Sequence, residues 1–353
     1  MITVGRTFKG HQMQLKMKHL GRALVCAGLL CVAGITEAQP QPRPRLDLDA
    51  FQDDNGIIVT FKGARSSDPY FGVYPLVLAS RAGLDVSKNA ERFIAWGLKN
   101  QRSDGRFARF CKVGASWLVC KHPDSDDATL ARWIELLYRV SDGRDIPPEW
   151  QASAWRAEKA LMALRMPSGV YSVFPKGTVG YAGYSLFKDN VEVLSSEEAL
   201  AQLMLARGDE GGATKWAARG AGLRRAIAQQ FGTGPKFKRL ALPTDYTETR
   251  FYPQAVAMPF AMAEGYSAAP AAVLWPKWLA ANRTAWKANA AVDFPWGILA
   301  VASIQAGDLE TAACWMEKYR QNQLSGDHWN VLEEVAAQVI VAKTQNVPCT
   351  NGF

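Results

Sequence analysis

Residues 124–140 read DSDDATLARWIELLYRV, and this stretch decides how the chain can fold. Polar residues open it, and apolar residues then recur at three- and four-residue spacing, which predicts an amphipathic helix that starts near Asp126. The same periodicity recurs in about eleven segments along the chain. Their predicted starts lie near Tyr70, Ser87, Asp126, Pro148, Asn190, Gly212, Tyr252, Ala271, Phe294, Leu309 and His328.

Short connections between these segments predict antiparallel neighbouring helices. Eleven helices arranged as hairpins, with one further helix at residues 46–52, make a ring of six hairpins. The predicted fold class is therefore all-α, an α/α toroid with a small β-hairpin insertion, in which the odd-numbered helices line the inside. Strand signals are few: residues 56–61 (GIIVTF), and the alternating stretches 170–174 and 181–187, which are predicted to form the hairpin. An irregular α-bundle and a helical-repeat solenoid remain the alternatives.

The first residues carry a targeting pattern. Basic residues precede an apolar run at residues 23–35, and the small-residue site Thr36-Glu37-Ala38 follows. Residues 1–38 are therefore predicted to be a secretory signal peptide, with cleavage near Ala38. Residues 39–48 form a Pro-rich leader that is expected to be poorly ordered, and residues 49–353 a single toroid domain. We expect a secreted or periplasmic protein, monomeric, with no membrane span in the mature chain.

Composition excludes several classes of protein and site. The chain has 353 residues, of which 48% are hydrophobic and 21% charged, which argues against a disordered or fibrous protein. The net charge of +8 is partly due to the targeting segment, and without a block of Lys or Arg it predicts no nucleic-acid partner. After residue 38 only His122 and His328 remain, which argues against a Ser-His-Asp triad or a three-His zinc site. No metal and no cofactor is predicted.

Four cysteines follow the predicted cleavage site. An even number in an exported chain indicates disulfides. The favoured pairs are Cys111–Cys120, which would close a short loop, and Cys314–Cys349, which would tie the C-terminal tail to a helix. The alternative is four buried free thiols.

Each predicted inner helix opens with acidic and aromatic residues together. Many of these aspartates are explained as N-caps, whose carboxylates accept free backbone N–H groups. The DSDD string at residues 124–127 carries more carboxylates than one cap requires, and like charges this close raise one another's pKa. The openings are Asp68-Pro69-Tyr70-Phe71, Asp124-Ser125-Asp126-Asp127, Asp189-Asn190-Val191-Glu192, residues 245–252 (DYTETRFY), Asp293-Phe294-Pro295-Trp296 and Asp327-His328-Trp329.

In a toroid these openings gather at one end of the ring, where they predict an acid site. The catalytic candidates are Asp126 or Asp127 together with Asp293, and Asp189, Glu192 and Asp68 are held in reserve. Aromatic faces beside carboxylates suit sugars, since the ring packs on C–H groups while the acid accepts hydrogen bonds from hydroxyls. The predicted substrate-binding residues are Tyr70, Trp117, Asp124, Tyr184, Arg250, Tyr252, Trp296 and Trp329.

The order of these elements resembles the six-hairpin glycosidases, and among them the family 8 endoglucanases. The matching positions are Phe71-Gly72, Trp117, Ser125-Asp126 and Val292-Asp293. The resemblance implies that Asp126 binds sugar at the cleavage point and that Asp293 is the base. The family's general-acid Glu has no counterpart here, where Asp68 is the nearest carboxylate.

The DSDD string also resembles the acid motif of terpene cyclase-like toroids, in which a carboxylic acid protonates an alkene. We rank this hypothesis third, because export separates the protein from isoprenoid substrates.

The first hypothesis is a carbohydrate-active protein that acts on a polysaccharide or oligosaccharide, as an inverting endo-glycoside hydrolase with paired carboxylates. The second is a non-catalytic toroid that binds polysaccharide or a partner in the export machinery.

Overall fold

A computed structural model describes residues 43–141, 145–178, 184–232, 251–267, 269–350 and 352, and residues 43–353 cluster as one compact unit. The predicted signal peptide lies outside the described residues. The described part contains eleven α-helices, a short 3₁₀ turn at Asp49–Phe51 and a π-helical turn at Phe251–Ala255. The helices are α1 (Tyr70–Arg81), α2 (Ser87–Asn100), α3 (Asp126–Val140), α4 (Pro148–Ala163), α5 (Phe187–Ala206), α6 (Glu210–Phe231), α7 (Ala257–Ala263), α8 (Ala271–Ala290), α9 (Gly297–Gln305), α10 (Leu309–Ser325) and α11 (Val331–Lys343).

The odd-numbered helices form a closed inner ring. Helix α1 packs on α3, α3 on α5, α5 on α7, α7 on α9 and α9 on α11, and α11 packs back on α1. The even-numbered helices lie outside it: α2 and α4 pack on α3, α6 on α5, α8 on α7 and α9, and α10 on α9 and α11. The α/α toroid predicted from the sequence is therefore confirmed, with the inner and outer helices assigned as expected.

Helix boundaries follow local capping chemistry. The side chains of Asp209, Asp308 and Asn330 accept hydrogen bonds from backbone N–H groups in the first turns of α6, α10 and α11. Gly326 ends α10 with a φ of 82°, a left-handed conformation that glycine adopts without steric cost. These caps mark the starts of three of the eleven described helices, α6, α10 and α11.

An extended segment takes the place of the predicted twelfth helix. Leu46 and Leu48 are buried in the core, although composition predicts a poorly ordered leader there. The backbone of Asp47 exchanges hydrogen bonds with the Gln338 side chain on α11, at 2.9 and 2.7 Å. The helix predicted at residues 46–52 is wrong, since only the three-residue 3₁₀ turn forms, but the segment does pack on the ring beside α11.

The β-hairpin lies in another place than the sequence predicts. Strands β1 (Ser66–Ser67), β2 (Arg109–Val113) and β3 (Ser116–Lys121) form an antiparallel sheet in that order; β1 precedes α1 in the chain, and β2 and β3 lie between α2 and α3. Residues 56–61 and 170–174 form isolated bridges rather than strands, and residues 181–183 lie outside the described part. The buried loop at 170–174 is tied to α5 instead, since Asn190 bonds both the N–H and the carbonyl of Tyr171.

Both predicted disulfides are present. Cys111–Cys120 joins β2 to β3, and Cys314–Cys349 ties α10 to the C-terminal segment. No helix within the described ranges is long and apolar enough to cross a membrane.

Candidate functional site

The first turns of the inner helices meet at one end of the ring, which we call the ring mouth. Tyr70 at the start of α1 contacts Glu192 near the start of α5, and the loop before α3 contacts Asp68 before α1. On the other side, Tyr252 stacks on Trp296, and Gly297 at the start of α9 contacts Glu333 on α11. All six inner helices thus contribute to this one end.

Three buried carboxyls, Asp127, Asp189 and Glu192, form what we call the acid cluster. Asp127 is the second residue of α3, and Asp189 and Glu192 are three residues apart on α5, so they share one face of that helix. Asp127 Oδ1 accepts hydrogen bonds from the Ser125 hydroxyl at 2.7 Å and the Ala128 N–H at 2.9 Å. Asp127 Oδ2 and Glu192 Oε2 are buried and have no hydrogen-bond partner among the described residues. The cluster therefore has unused acceptor capacity in its interior.

Tyr70 and Lys188 hold Glu192 in place. The Tyr70 hydroxyl donates to Glu192 Oε1 at 2.9 Å, and Lys188 donates to the same hydroxyl at 3.0 Å. Lys188 also pairs directly with Glu192 at 3.2 Å. Burial raises the pKa of Glu192, and the Lys188 ammonium and the Tyr70 hydroxyl oppose that shift by stabilising its negative charge.

The other two acids, Asp127 and Asp189, both have raised pKa values. Burial raises the pKa of Asp127 well above its ordinary value, and the negative charge of Asp189 raises it further. Burial also raises the pKa of Asp189, where the Lys188 ammonium opposes the shift and Glu192 adds to it. Burial and neighbouring negative charge therefore favour the neutral form of both acids relative to an exposed aspartate.

Asp68 links three segments at the ring mouth through its hydrogen bonds. Its Oδ1 accepts the Tyr70 N–H at 3.0 Å, and its Oδ2 accepts the Asp124 N–H at 2.7 Å and the Arg109 Nε–H at 2.9 Å. With both oxygens engaged, Asp68 joins β2, α1 and the loop before α3. This bonding orients Asp124, whose side chain remains 58% exposed at the surface of the mouth.

Asp126, the first catalytic candidate from the sequence, faces away from the cluster. Its carboxylate lies 3.6 Å from Arg106 Nη1, and burial raises its pKa to about 6. Consecutive helical residues point about 100° apart, so the side chains of Asp126 and Asp127 extend into different surroundings. The four-residue DSDD string therefore does not converge on one point: Asp124 is exposed, Asp126 meets Arg106, and only Asp127 joins the acid cluster.

The remaining predicted residues divide between the mouth and elsewhere. Tyr252 is half-exposed and stacks on Trp296, with ring centroids 5.2 Å apart. Asp293 is partly exposed before α9, where burial raises its pKa, and its charge acts on Glu333 rather than on the acid cluster. Tyr184 is half-buried, and its carbonyl accepts the Val173 N–H at 2.7 Å. Arg250 lies outside the described residues.

Two predicted tryptophans, Trp329 and Trp117, are engaged in contacts within the protein. Trp329 is fully buried, stacks on Trp315 at 5.8 Å and donates its indole N–H to Glu334 at 2.8 Å. Trp117 is on β3, where its indole N–H donates to Asp53 at 3.1 Å.

Below the cluster, buried charges fill the axis of the ring. Arg132 on α3 is fully buried, pairs with Glu264 and Glu135, and lies over the Tyr74 ring, which in turn stacks on Tyr70. Arg81 adds a second cation to both glutamates, at 2.6 and 2.9 Å. Within the described part of the chain, packed and ion-paired side chains therefore fill the axis of the ring beneath the acid cluster.

Sequence reasoning missed Lys188 and Glu333. Lys188 sits four residues before Glu192, a spacing that pairs opposite charges on one helical face and could have been recognised. Glu333 follows Asn330 in the pattern of an ordinary helix start, which gives no hint that its carboxylate reaches α9. No group of three or more His, Cys, Asp or Glu within the described ranges is arranged to hold a metal ion.

Comparisons with known proteins support the fold. No protein-family model and no curated protein matches the chain. Among solved structures, one described as a novel alpha-amylase from Clostridium perfringens is similar with a TM-score of 0.55 and 12% sequence identity, over 84% of this chain and 94% of that one. At this identity the similarity concerns the shared helical toroid alone, and it does not single out the family 8 endoglucanases.

Proposed function

We propose that the protein is a glycoside hydrolase that cleaves its substrate at the ring mouth. One observation carries the proposal: Asp127 and Asp189, on neighbouring inner helices, are buried acids whose pKa values are raised by burial and by neighbouring negative charge. A carboxylic acid that stays protonated near neutral pH is what the departing glycosidic oxygen requires. Asp189 is the acid that reaches substrate, since Asp127 is fully buried and Asp189 retains 4% exposure.

A second carboxylate completes the reaction. Asp124 is the candidate base, because its side chain is exposed at the mouth and its charge is felt by both Asp189 and Tyr252. In an inverting hydrolase the base removes a proton from a water molecule that attacks the anomeric carbon while the acid protonates the leaving oxygen. The two carboxyls must then leave room for that water, roughly 6.5–9.5 Å. Asp293, across the mouth on the α9 side, is the alternative base.

The substrate class follows from the surroundings and from the structural neighbour. Tyr252 offers a half-exposed aromatic face next to exposed carboxylate and cationic groups, a combination that suits pyranose rings. The similar solved structure is described as an alpha-amylase, so α-glucans join β-glucans as the first polymers to test. Two disulfides fit an oxidising compartment, and we propose that residues 1–38 direct the chain there as a signal peptide, leaving a monomer.

The proposal is tested by incubating the purified protein with soluble starch, mixed-linkage β-glucan and carboxymethylcellulose, and measuring new reducing ends. An endo-acting enzyme lowers the viscosity of its polymer before small sugars accumulate. Proton NMR of the first products then reports the anomer, and inversion is expected. Absence of cleavage in a wider panel of bacterial exopolysaccharides would contradict the proposal.

A non-catalytic toroid that binds polysaccharide is the second candidate. It is favoured by the burial of the cluster: Asp127 and Glu192 are fully buried, and Glu192 is already paired with Lys188. Under this hypothesis the buried acids organise the mouth, and the exposed groups Asp124 and Tyr252 bind the glycan. A glycan that raises the melting temperature but is never cleaved would favour binding over hydrolysis.

A further inference from the structure

The turn that leads into α9 is fixed from three sides. The carbonyl of Pro295 accepts hydrogen bonds from the indole N–H groups of Trp286 and Trp315, each at 2.9 Å. Glu333 Oε2 on α11 accepts the Gly297 N–H at 2.7 Å, and the Trp296 N–H also bonds the Glu333 carboxylate. Three neighbouring residues are therefore held by helices α8, α10 and α11 at once.

This fixation requires glycine at position 297. A Cβ atom there would come within 2.7 Å of the Ala336 Cβ, 2.8 Å of Glu333 Oε2 and 2.9 Å of the Trp315 ring. The start of α9 thus approaches α11 as closely as its backbone allows. Glu333 is 3% exposed, so its carboxylate is committed to this turn rather than to solvent.

The turn forces Trp296 into an unfavourable backbone conformation. Its φ of 57° and ψ of 51° are left-handed, which is rare for a large side chain because the Cβ crowds the backbone. Its indole N–H is buried and has no hydrogen-bond partner in the described part of the chain. A side chain that is kept in place despite both costs marks a position where geometry matters for function.

In this conformation the Trp296 ring packs against the ring of Tyr252. The two rings stack with centroids 5.2 Å apart and an interplanar angle of 26°, and Phe294 packs on Trp296 at 4.9 Å. Tyr252 is 49% exposed and lies within electrostatic reach of Lys188, Asp189 and Asp124. We call the stacked pair of Tyr252 and Trp296 the aromatic wall; it borders the acid cluster.

We infer that Glu333 is a positioning residue for ligand binding, which fixes the turn at Trp296 so that the aromatic wall presents Tyr252 to a pyranose ring beside Asp189. The inference rests on the proposed function for its ligand class, a glycan of hexopyranose units. Glu333 does not touch the sugar itself. It acts through the backbone of Trp296, and the stacked ring of Trp296 transmits the effect to Tyr252.

The test measures binding rather than cleavage. Maltohexaose and cellohexaose are titrated by calorimetry into the Asp189→Asn protein, and into the same protein carrying Tyr252→Leu, Glu333→Gln or both. Glu334→Gln is the matched control, since Glu334 is the next residue on α11 and bonds the Trp329 indole N–H but not the turn before α9. Trp296→Asn tests the wall without disturbing the turn, because Asn adopts the left-handed region more readily than other non-glycine residues.

Tyr252→Leu and Trp296→Asn should each weaken binding of the better hexaose roughly tenfold, the loss expected for one aromatic contact. Glu333→Gln should weaken it by a similar factor, and the double variant with Tyr252→Leu should be no weaker than either single variant, since both act through one wall. Near-UV circular dichroism should show loss of the stacked-pair signal in Glu333→Gln and not in Glu334→Gln.

Additive losses in the double variant, or equal losses from Glu333→Gln and Glu334→Gln, would overturn the positioning role and leave Glu333 as a structural cap. A glycan that binds through the wall but is never cleaved by the wild type would overturn the hydrolase and keep the wall. If no hexaose or exopolysaccharide binds the wild type, the assignment of the wall to sugars is overturned.

Discussion

The Tyr70 hydroxyl donates a 2.9 Å hydrogen bond to Glu192 Oε1, joining two inner helices through residues 122 positions apart in the sequence. Lys188 completes this contact, and together the two side chains hold the Glu192 carboxylate in place at the ring mouth.

Tyr70→Phe should destabilise the protein by about 1.5–3 kcal/mol, because a buried hydrogen bond to a charged group is lost. The free energy of unfolding is measured by urea denaturation. Tyr171→Phe is the matched comparison, since the Tyr171 hydroxyl donates to buried Glu197 at the same 2.9 Å but outside the acid cluster. Both variants should lose stability, and only Tyr70→Phe should also change glycan cleavage. Equal effects on activity would show that the Tyr70 contact is purely structural.

Asp127→Asn should alter how stability depends on pH. The folded-state pKa of Asp127 is raised by burial and by Asp189, so from its ordinary 3.8 upward the folded protein binds more protons than the unfolded chain. The free energy of unfolding of the wild type therefore falls as pH rises through this range. The uncharged variant should show a smaller fall over the same pH range. The melting temperatures of both proteins are compared between pH 4 and 9, and parallel curves would contradict the raised pKa.

Glu135→Gln should be strongly destabilising, by about 3–5 kcal/mol, since it removes one of the two carboxylates that pair with Arg81 and Arg132 and leaves buried positive charge under-compensated. Glu135 is fully buried; burial favours its neutral form, but Arg81 and Arg139 outweigh this and lower its pKa to about 2. Because the folded-state pKa lies below its ordinary 4.5, this contribution is complete above pH 4.5 and is lost as pH falls toward 2. Urea denaturation at pH 7 and pH 3 measures both effects. A variant as stable as the wild type at pH 7 would contradict the ion network.

The two disulfides should differ in their contribution to stability. Cys314–Cys349 spans 35 residues and Cys111–Cys120 spans 9, so loop entropy makes the first more stabilising by about 1 kcal/mol. The double Ala variants at each pair are compared by urea denaturation.

A thiol titration of the unreduced, denatured protein cleaved at Ala38 should find almost no free thiol, and four free thiols would contradict both bonds.

Much of the fold could be predicted from the sequence, because helical periodicity and caps are local signals. The starts at Tyr70, Ser87 and Ala271 agree with the structure for this reason. The hairpin could not be placed, because β2 and β3 mix polar and apolar residues and expose Val113 and Val119 to solvent, which blurs the alternation. Residues 170–174 carry a clearer alternation and yet form a buried loop.

The sequence locates acids at the helix starts but not how their side chains are arranged, and their role as a functional site stays a prediction. Acids at the helix starts identify the mouth, and Asp189 and Glu192 were among the candidates. The choice between Asp126 and Asp127 depends on how α3 is rotated, and that rotation is set by packing against Arg106 on one side and α5 on the other. Glu333 depends on a contact between α9 and α11 that only the assembled ring creates.

The most direct test of the account compares two aspartates that are equally buried, at 4% exposure, near the starts of neighbouring inner helices. Asp189 belongs to the acid cluster, and Asp126 faces Arg106. The measurement is kcat/KM of wild type, Asp189→Asn and Asp126→Asn on the polymer that the wild type cleaves best. Asp189→Asn should lower it roughly 10²- to 10⁴-fold, as loss of a general acid does, while Asp126→Asn stays within a few-fold of the wild type. Equal losses, or a loss confined to Asp126→Asn, would contradict the assignment of the acid cluster as the active site.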